Sequence, residues 1–196
     1  MLKRYKILFI VIALLLLGNP SGCGLFSTRT PENPVTVRST FEPPTSPQAV
    51  LNNLTSSIIE RNSGNYVKCL SNTNYVYIPD SKAQSLYRQI FLNWNVNSEK
   101  FYLDNLISQT NSNATSNLFL SNIVTNIIST DSAITSADYT VAFQHNRNNI
   151  PKSAVGNFRL TMKADENSLY SILKWEDFRI HDTDFTWSEL KANFSN

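Results

Sequence analysis

Ala137-Asp138-Tyr139-Thr140-Val141-Ala142-Phe143-Gln144-His145 alternates without a break, setting Tyr139, Val141, Phe143 and His145 on one side. A period of two marks a strand with one buried and one wet face. The pattern extends outward from there. Residues 155–163 align Phe158, Leu160 and Met162, and residues 169–180 form a long aromatic run. Asp165-Glu166-Asn167 between these two supplies a hairpin turn. Upstream, residues 118–129 are rich in β-branched side chains. Four successive strands with short connections predict an antiparallel meander.

Before residue 110 the period is helical. Ser46-Pro47 reads as an N-cap followed by proline at the first helical position. Val50, Leu51, Leu54 and Ile58 then recur at three- and four-residue spacing. Asn62-Ser63-Gly64 ends this helix, and Tyr66, Cys69 and Leu70 belong to a short second one. Tyr75-Val76-Tyr77-Ile78 reads as a strand stopped by Pro79. Asp80 can cap a third helix carrying Ala83, Leu86, Tyr87, Ile90, Phe91 and Trp94, and Ser98 a fourth with Phe101, Leu103, Leu106 and Ile107. A last helical turn packs Trp187, Leu190 and Phe194 onto the body.

Helices first and an antiparallel sheet after give an α+β fold, with helices on one face of a curved sheet and one domain over residues 46–196. The order helix, helix, strand, helix, then four strands resembles the nuclear-transport-factor-2-like superfamily, also called the ketosteroid-isomerase-like or cystatin-like cone. Asn65-Tyr66 through Cys69-Leu70, with Tyr75-Val76-Tyr77 after it, resembles that superfamily's opening elements. Trp175-Glu176-Asp177 and Trp187-Ser188-Glu189-Leu190-Lys191 resemble a group of uncharacterised bacterial lipoproteins with this cone. The resemblance implies a pocket at the open end of the cone. Some members use it as isomerases, dehydratases or hydrolases, and others bind ligands or proteins, so fold alone does not settle function.

The N-terminus carries a separate signal. Lys3, Arg4 and Lys6 precede an apolar run over residues 7–17, which is too short for a membrane span of roughly 20 residues and suits a signal peptide over residues 1–22. Pro20-Ser21-Gly22-Cys23 resembles the lipobox of bacterial lipoproteins, although Pro20 stands where an aliphatic residue is usual. The resemblance implies acylation of Cys23 and attachment to a membrane through that lipid. Gly24, where Asp often signals inner-membrane retention, points by the same resemblance to the outer membrane, facing the periplasm. Residues 23–45 hold Pro31, Pro34, Pro43 and Pro44 among Thr and Ser and read as an extended tether.

The formal charge of +2 includes the leader; without Lys3, Arg4 and Lys6 there are fourteen basic and fifteen acidic residues. So balanced a domain carries no footprint for nucleic acid. With Cys23 acylated, Cys69 is the one thiol left, in a helical apolar context that suits a buried small hydrophobe.

Acid–base members of the superfamily place an Asp or His, often with a Tyr, inside the cone, and here Asp177 and His145 are the weak catalytic candidates. His145 shares a strand face with Tyr139, but Asn146-Arg147-Asn148-Asn149 follows it and suggests a solvated loop edge. Asp177 alternates with Trp175 and Arg179; it is either an inward acid with a raised pKa or a local partner of Arg179. Tyr75, Tyr77, Trp94 and Trp175 read as core and rim aromatics that could line a site for a small apolar ligand. His181-Asp182-Thr183-Asp184 offers one His and adjacent acids, short of a metal set, and neither metal nor cofactor is expected. Three functions follow: a non-enzymatic binder of an envelope protein or small ligand, a small hydrolase or isomerase, and a homodimerising structural module.

Overall fold

The computed structural model describes residues 40–195. These belong to the compact unit Val37–Asn196. The signal peptide, Cys23 and the tether up to residue 39 lie outside the described residues.

Residues 40–45, read from sequence as the end of the tether, are instead fixed to the domain. Phe41 packs on the core. The Asn53 side chain exchanges two hydrogen bonds with the Glu42 backbone, and Tyr170 N–H donates to Pro44 O at 2.7 Å. Ser46 then caps α1 (Pro47–Ile59), its side chain accepting from Ala49 N–H at 3.2 Å. Val50, Leu51, Leu54 and Ile58 are all buried on one stripe. Arg61, at φ 52°, turns the chain out of α1. Asn62 caps α2 (Ser63–Lys68) by accepting from Asn65 N–H. The Asn-Ser-Gly triplet therefore opens the second helix as much as it closes the first.

After β1 (Val76–Ile78) the expected third helix is two pieces, α3 (Ser81–Leu86) capped by Asp80 and α4 (Arg88–Phe91). The break falls at Tyr87, whose backbone at φ −119°, ψ 32° is not helical. α5 (Val96–Ser108) starts three residues earlier than the sequence suggests. Asn95 is its N-cap, and Ser98 bonds back to the Asn95 N–H in a capping box.

The sheet runs β1-β5-β4-β3-β2. β2 (Ser116–Ser129), β3 (Ser132–Phe143), β4 (Ser153–Ala164) and β5 (Tyr170–Phe178) form the expected antiparallel meander. β1 lies parallel to β5, with Tyr77 opposite Trp175. β3 begins five residues before the alternation read from sequence, because its first inward side chains, Ala133 and Thr135, are small and leave a weak apolar signal. The Asp165 side chain accepts from Asn167 and Leu169 N–H and closes the β4–β5 turn, as expected. Last comes α6 (Trp187–Asn193), whose Trp187, Leu190 and Phe194 are buried as the pattern predicts.

One face of the sheet is the core. Ala133, Thr135, Ala137, Tyr139, Val141 and Phe143 of β3 alternate inward, as do Ala154, Phe158, Leu160 and Met162 of β4. Each large side chain buried there contributes roughly 1.5–3 kcal/mol. The other face carries solvated charge, with Arg159 and Lys174 both paired to Glu176 at 2.9 and 3.1 Å. This is a helix-covered, curved and mostly antiparallel sheet, the α+β architecture expected.

Candidate functional site

Two helices each send one charged side chain into the interior. α5 buries Glu99 in line with Tyr102, Leu103 and Leu106. α6 buries Lys191 in line with Trp187 and Leu190. Neither side chain has any exposed surface, and Lys191 Nζ lies 2.7 Å from Glu99 Oε1. The carboxylate also accepts from Tyr75 O–H at 2.6 Å, Trp94 Nε1–H at 2.8 Å and Tyr66 O–H at 2.8 Å. Four donors on two oxygens satisfy a buried carboxylate. The ammonium meets aromatic faces as well, 3.6 Å from the Tyr77 ring centroid and 4.3 Å from that of Trp175. Burial pulls the Lys191 pKa below its ordinary value, and the Glu99 carboxylate opposes that pull.

A second network fixes the start of α6. Asp177 accepts from Tyr139 O–H at 2.7 Å and from Ser188 N–H and O–H at 2.8 and 2.5 Å. Tyr139 Oη in turn accepts Trp187 N–H at 2.8 Å, and Trp187 Nε1–H donates to Tyr102 Oη at 2.9 Å. Burial raises the Asp177 pKa, although the Ser188 and Tyr139 hydrogen bonds and the Lys191 charge hold it back. Asp80 accepts from Thr186 O–H at 2.5 Å and pairs with Arg179, which also pairs with Glu189 at 2.8 Å. Thr186 and Glu189 complete a capping box. α6 is thus held at its cap, along its buried face and by its lysine.

The sequence candidates separate on this geometry. Tyr75, Tyr77, Trp94 and Trp175 do line the interior, but they surround Glu99 and Lys191. Asp177 makes none of the expected bonds to Arg179, whose partners are Asp80, Glu189 and the Asp184 carbonyl. His145 is buried, contrary to the solvated loop edge expected of it. Its Nε2 sits 3.1 Å from Pro151 O, and its ring lies against Phe194 with centroids 5.0 Å apart. His145 and Asp177 share no hydrogen-bond partner, so they do not form an acid–base pair with one tyrosine. His181 bonds to Asp184 within its own turn. Among the described residues no group of three or more His, Cys, Asp or Glu could hold a metal.

Grooves of about 490, 400, 390 and 350 Å³ lie on the described surface, and Glu99, Lys191, Asp177 and Tyr139 are in the walls of none of these. The one of about 490 Å³ runs past Ile90, Trp94 and Phe101. Sequence reasoning passed over Glu99 and Lys191, although each sits at a core position of its helix.

No family model matches this chain, and no curated protein matches it. Solved structures do. A hexachlorocyclohexane dehydrochlorinase, LinA type 2, superposes with a TM-score of 0.52 at 8% identity over 71% of this chain and 86% of its own. A provisional scytalone dehydratase from Novosphingobium aromaticivorans gives 0.52 at 9% identity over 66% and 78%. This chain shares their fold, and the helix-covered cone has the nuclear-transport-factor-2-like architecture. A provisional calcium/calmodulin-dependent protein kinase II association domain from Xanthomonas campestris shares it, with a TM-score of 0.51 at 8% identity over 69% and 86%. In this nuclear-transport-factor-2-like cone the interior is occupied by the chain's own lysine.

Proposed function

We propose that this chain is a lipid-anchored protein of the bacterial envelope whose cone is a closed scaffold and whose outer surface binds a partner protein without chemistry. The observation that carries the closed scaffold is Lys191, which fills the interior and is neutralised there by Glu99. Trp94 and Tyr75 also edge surface grooves, but a substrate or small apolar ligand reaching Tyr77 and Trp175 beside the ammonium has to displace α6, which three polar networks hold in place. The anchor rests on Pro20-Ser21-Gly22-Cys23 behind its basic and apolar leader. Two or more acyl chains on Cys23 hold a protein stably at a membrane, at roughly 0.8 kcal/mol per buried methylene. Gly24 after that cysteine favours the outer membrane, facing the periplasm.

A second reading keeps chemistry in the cone. The enzyme names of two structural neighbours and the Asp177–Tyr139 hydrogen bond favour it. It requires α6 to leave. Feeding cells a clickable fatty acid tests the anchor: the chain should label and fractionate with membranes, and Cys23→Ala should abolish both. Label that survives Cys23→Ala contradicts the anchor. Saturable small-molecule turnover that Asp177→Asn abolishes, with the fold intact, contradicts the closed scaffold.

A further inference from the structure

β2 is an edge strand without the usual protection. It pairs only with β3, and among the described residues no hydrogen bond outside that pairing uses its backbone. Residues 122–130 are all exposed, among them Ile123, Val124, Ile127 and Ile128. Phe119, earlier on the strand, is 63% exposed. No charged residue occurs between Asp104 and Asp131. Natural sheets blunt their edges by shortness, lysine, proline or a bulge. The opposite edge follows that rule, since β1 has three residues and ends at Pro79. β2 has fourteen residues and only its bulges, at Asn122 (φ 51°) and between Ile127 and Ser129. These leave 123–129 as the stretch with both apolar side chains and free backbone groups.

We infer that β2 is a self-association edge: a second copy of this chain pairs with it antiparallel through residues 123–129 and extends the sheet across two molecules. The absence of charge selects a second copy. A twofold axis brings the residues at the middle of the strand against their own equivalents, so a lysine or glutamate there would meet its like. A foreign strand is chosen by complementary charge or by built repulsion against others, and this edge holds neither. With the axis normal to the sheet near Thr125 and Asn126, the charged outer faces of the two sheets stay on one side, in solvent. The five apolar side chains alone expose on the order of 500 Å² per copy, against about 800 Å² per partner in a standard interface, and the backbone, Asn and Thr of the same strand add to it. The inference stands on the sheet edge and does not depend on the anchor.

Disulfide trapping of the full-length chain in membranes or detergent micelles tests it. Asn126→Cys, in the middle of the edge, should cross-link to a dimer under mild oxidant at least tenfold above Leu86→Cys, an exposed position on α3 that sets the collisional background. Val124→Lys with Ile127→Lys should abolish that product while circular dichroism stays unchanged. Ile127→Lys alone, at a side chain already 64% exposed, serves should the pair not fold. The inference is overturned if Asn126→Cys cross-links no faster than Leu86→Cys, or if cross-linking survives the lysines. It is equally overturned if Lys174→Cys on the outer sheet face cross-links in place of Asn126→Cys.

Discussion

Lys191 of α6 and Glu99 of α5 form an ion pair at 2.7 Å with no exposed surface on either side chain. Taking two charges out of water costs several kcal/mol per ion, so such a pair is a poor source of stability and a strong specifier of arrangement. Here the arrangement it specifies is α6 seated in the cone. Tyr66, Tyr75 and Trp94 complete the carboxylate, while Tyr77 and Trp175 flank the ammonium.

Removing one partner leaves the other charge buried alone. Glu99→Gln and Lys191→Met should each destabilise the domain by about 3–5 kcal/mol in urea titrations. The double variant should cost less than either single change, because no uncompensated charge is left. Additive losses would show that the two groups act independently.

Asp177 ties stability to pH. Burial raises its folded pKa above the ordinary 3.8. The folded state therefore holds this proton more tightly than the unfolded chain. Its contribution is fully present below pH 3.8 and is lost as pH rises through the folded pKa. Asp177→Asn removes that slope, so the stability difference between variant and parent should shift towards the variant on going from pH 4 to 7. A difference independent of pH, followed by urea unfolding, would mean that Asp177 titrates normally.

Gly156 on β4 has no room for a side chain. A Cβ there would lie 2.5 Å from Tyr139 Oη and 2.6 Å from the Phe178 carbonyl. Gly156→Ala should cost about 1–3 kcal/mol through overpacking. It should also push Tyr139 off Asp177, removing a hydrogen bond that holds the Asp177 pKa down and so steepening the pH dependence described above. Both effects are read from the same denaturation series.

Burial pushes the Cys69 thiol up to about 12, and the side chain is 1% exposed. A bulky disulfide reagent at pH 8 should leave it untouched in the native chain and modify it at the rate of unfolding. Prompt modification under native conditions would place Cys69 in an accessible site.

The fold was legible because its elements obey simple periods. The inward alternation of Tyr139, Val141 and Phe143, the α1 stripe and the α6 aromatics all hold. Boundaries were less legible where capping residues stand close together: Asn62 serves two helices, and Asn95 takes the cap that Ser98 was expected to hold. The interior was misjudged for a physical reason. Lys and Glu are almost never fully buried unless paired, so each alone reads as surface. Their phase gave the better signal. Glu99 lies on a stripe with Tyr102, Leu103 and Leu106, and Lys191 on one with Trp187, Leu190 and Phe194. Opposite charges at the core positions of two helices mark a buried pair. His145 went the other way, since the polar tetrad after it says nothing of Phe194 arriving from α6 to cover the ring.

Acylation of lysines under native conditions, read by mass spectrometry residue by residue, tests the closed cone most directly. Lys191 should react on the order of a thousandfold more slowly than the exposed Lys152 and Lys163, matching a local opening that costs about 4 kcal/mol. Lys191 reacting at the rate of those surface lysines would show that α6 leaves the cone freely, and the closed-scaffold account would fail.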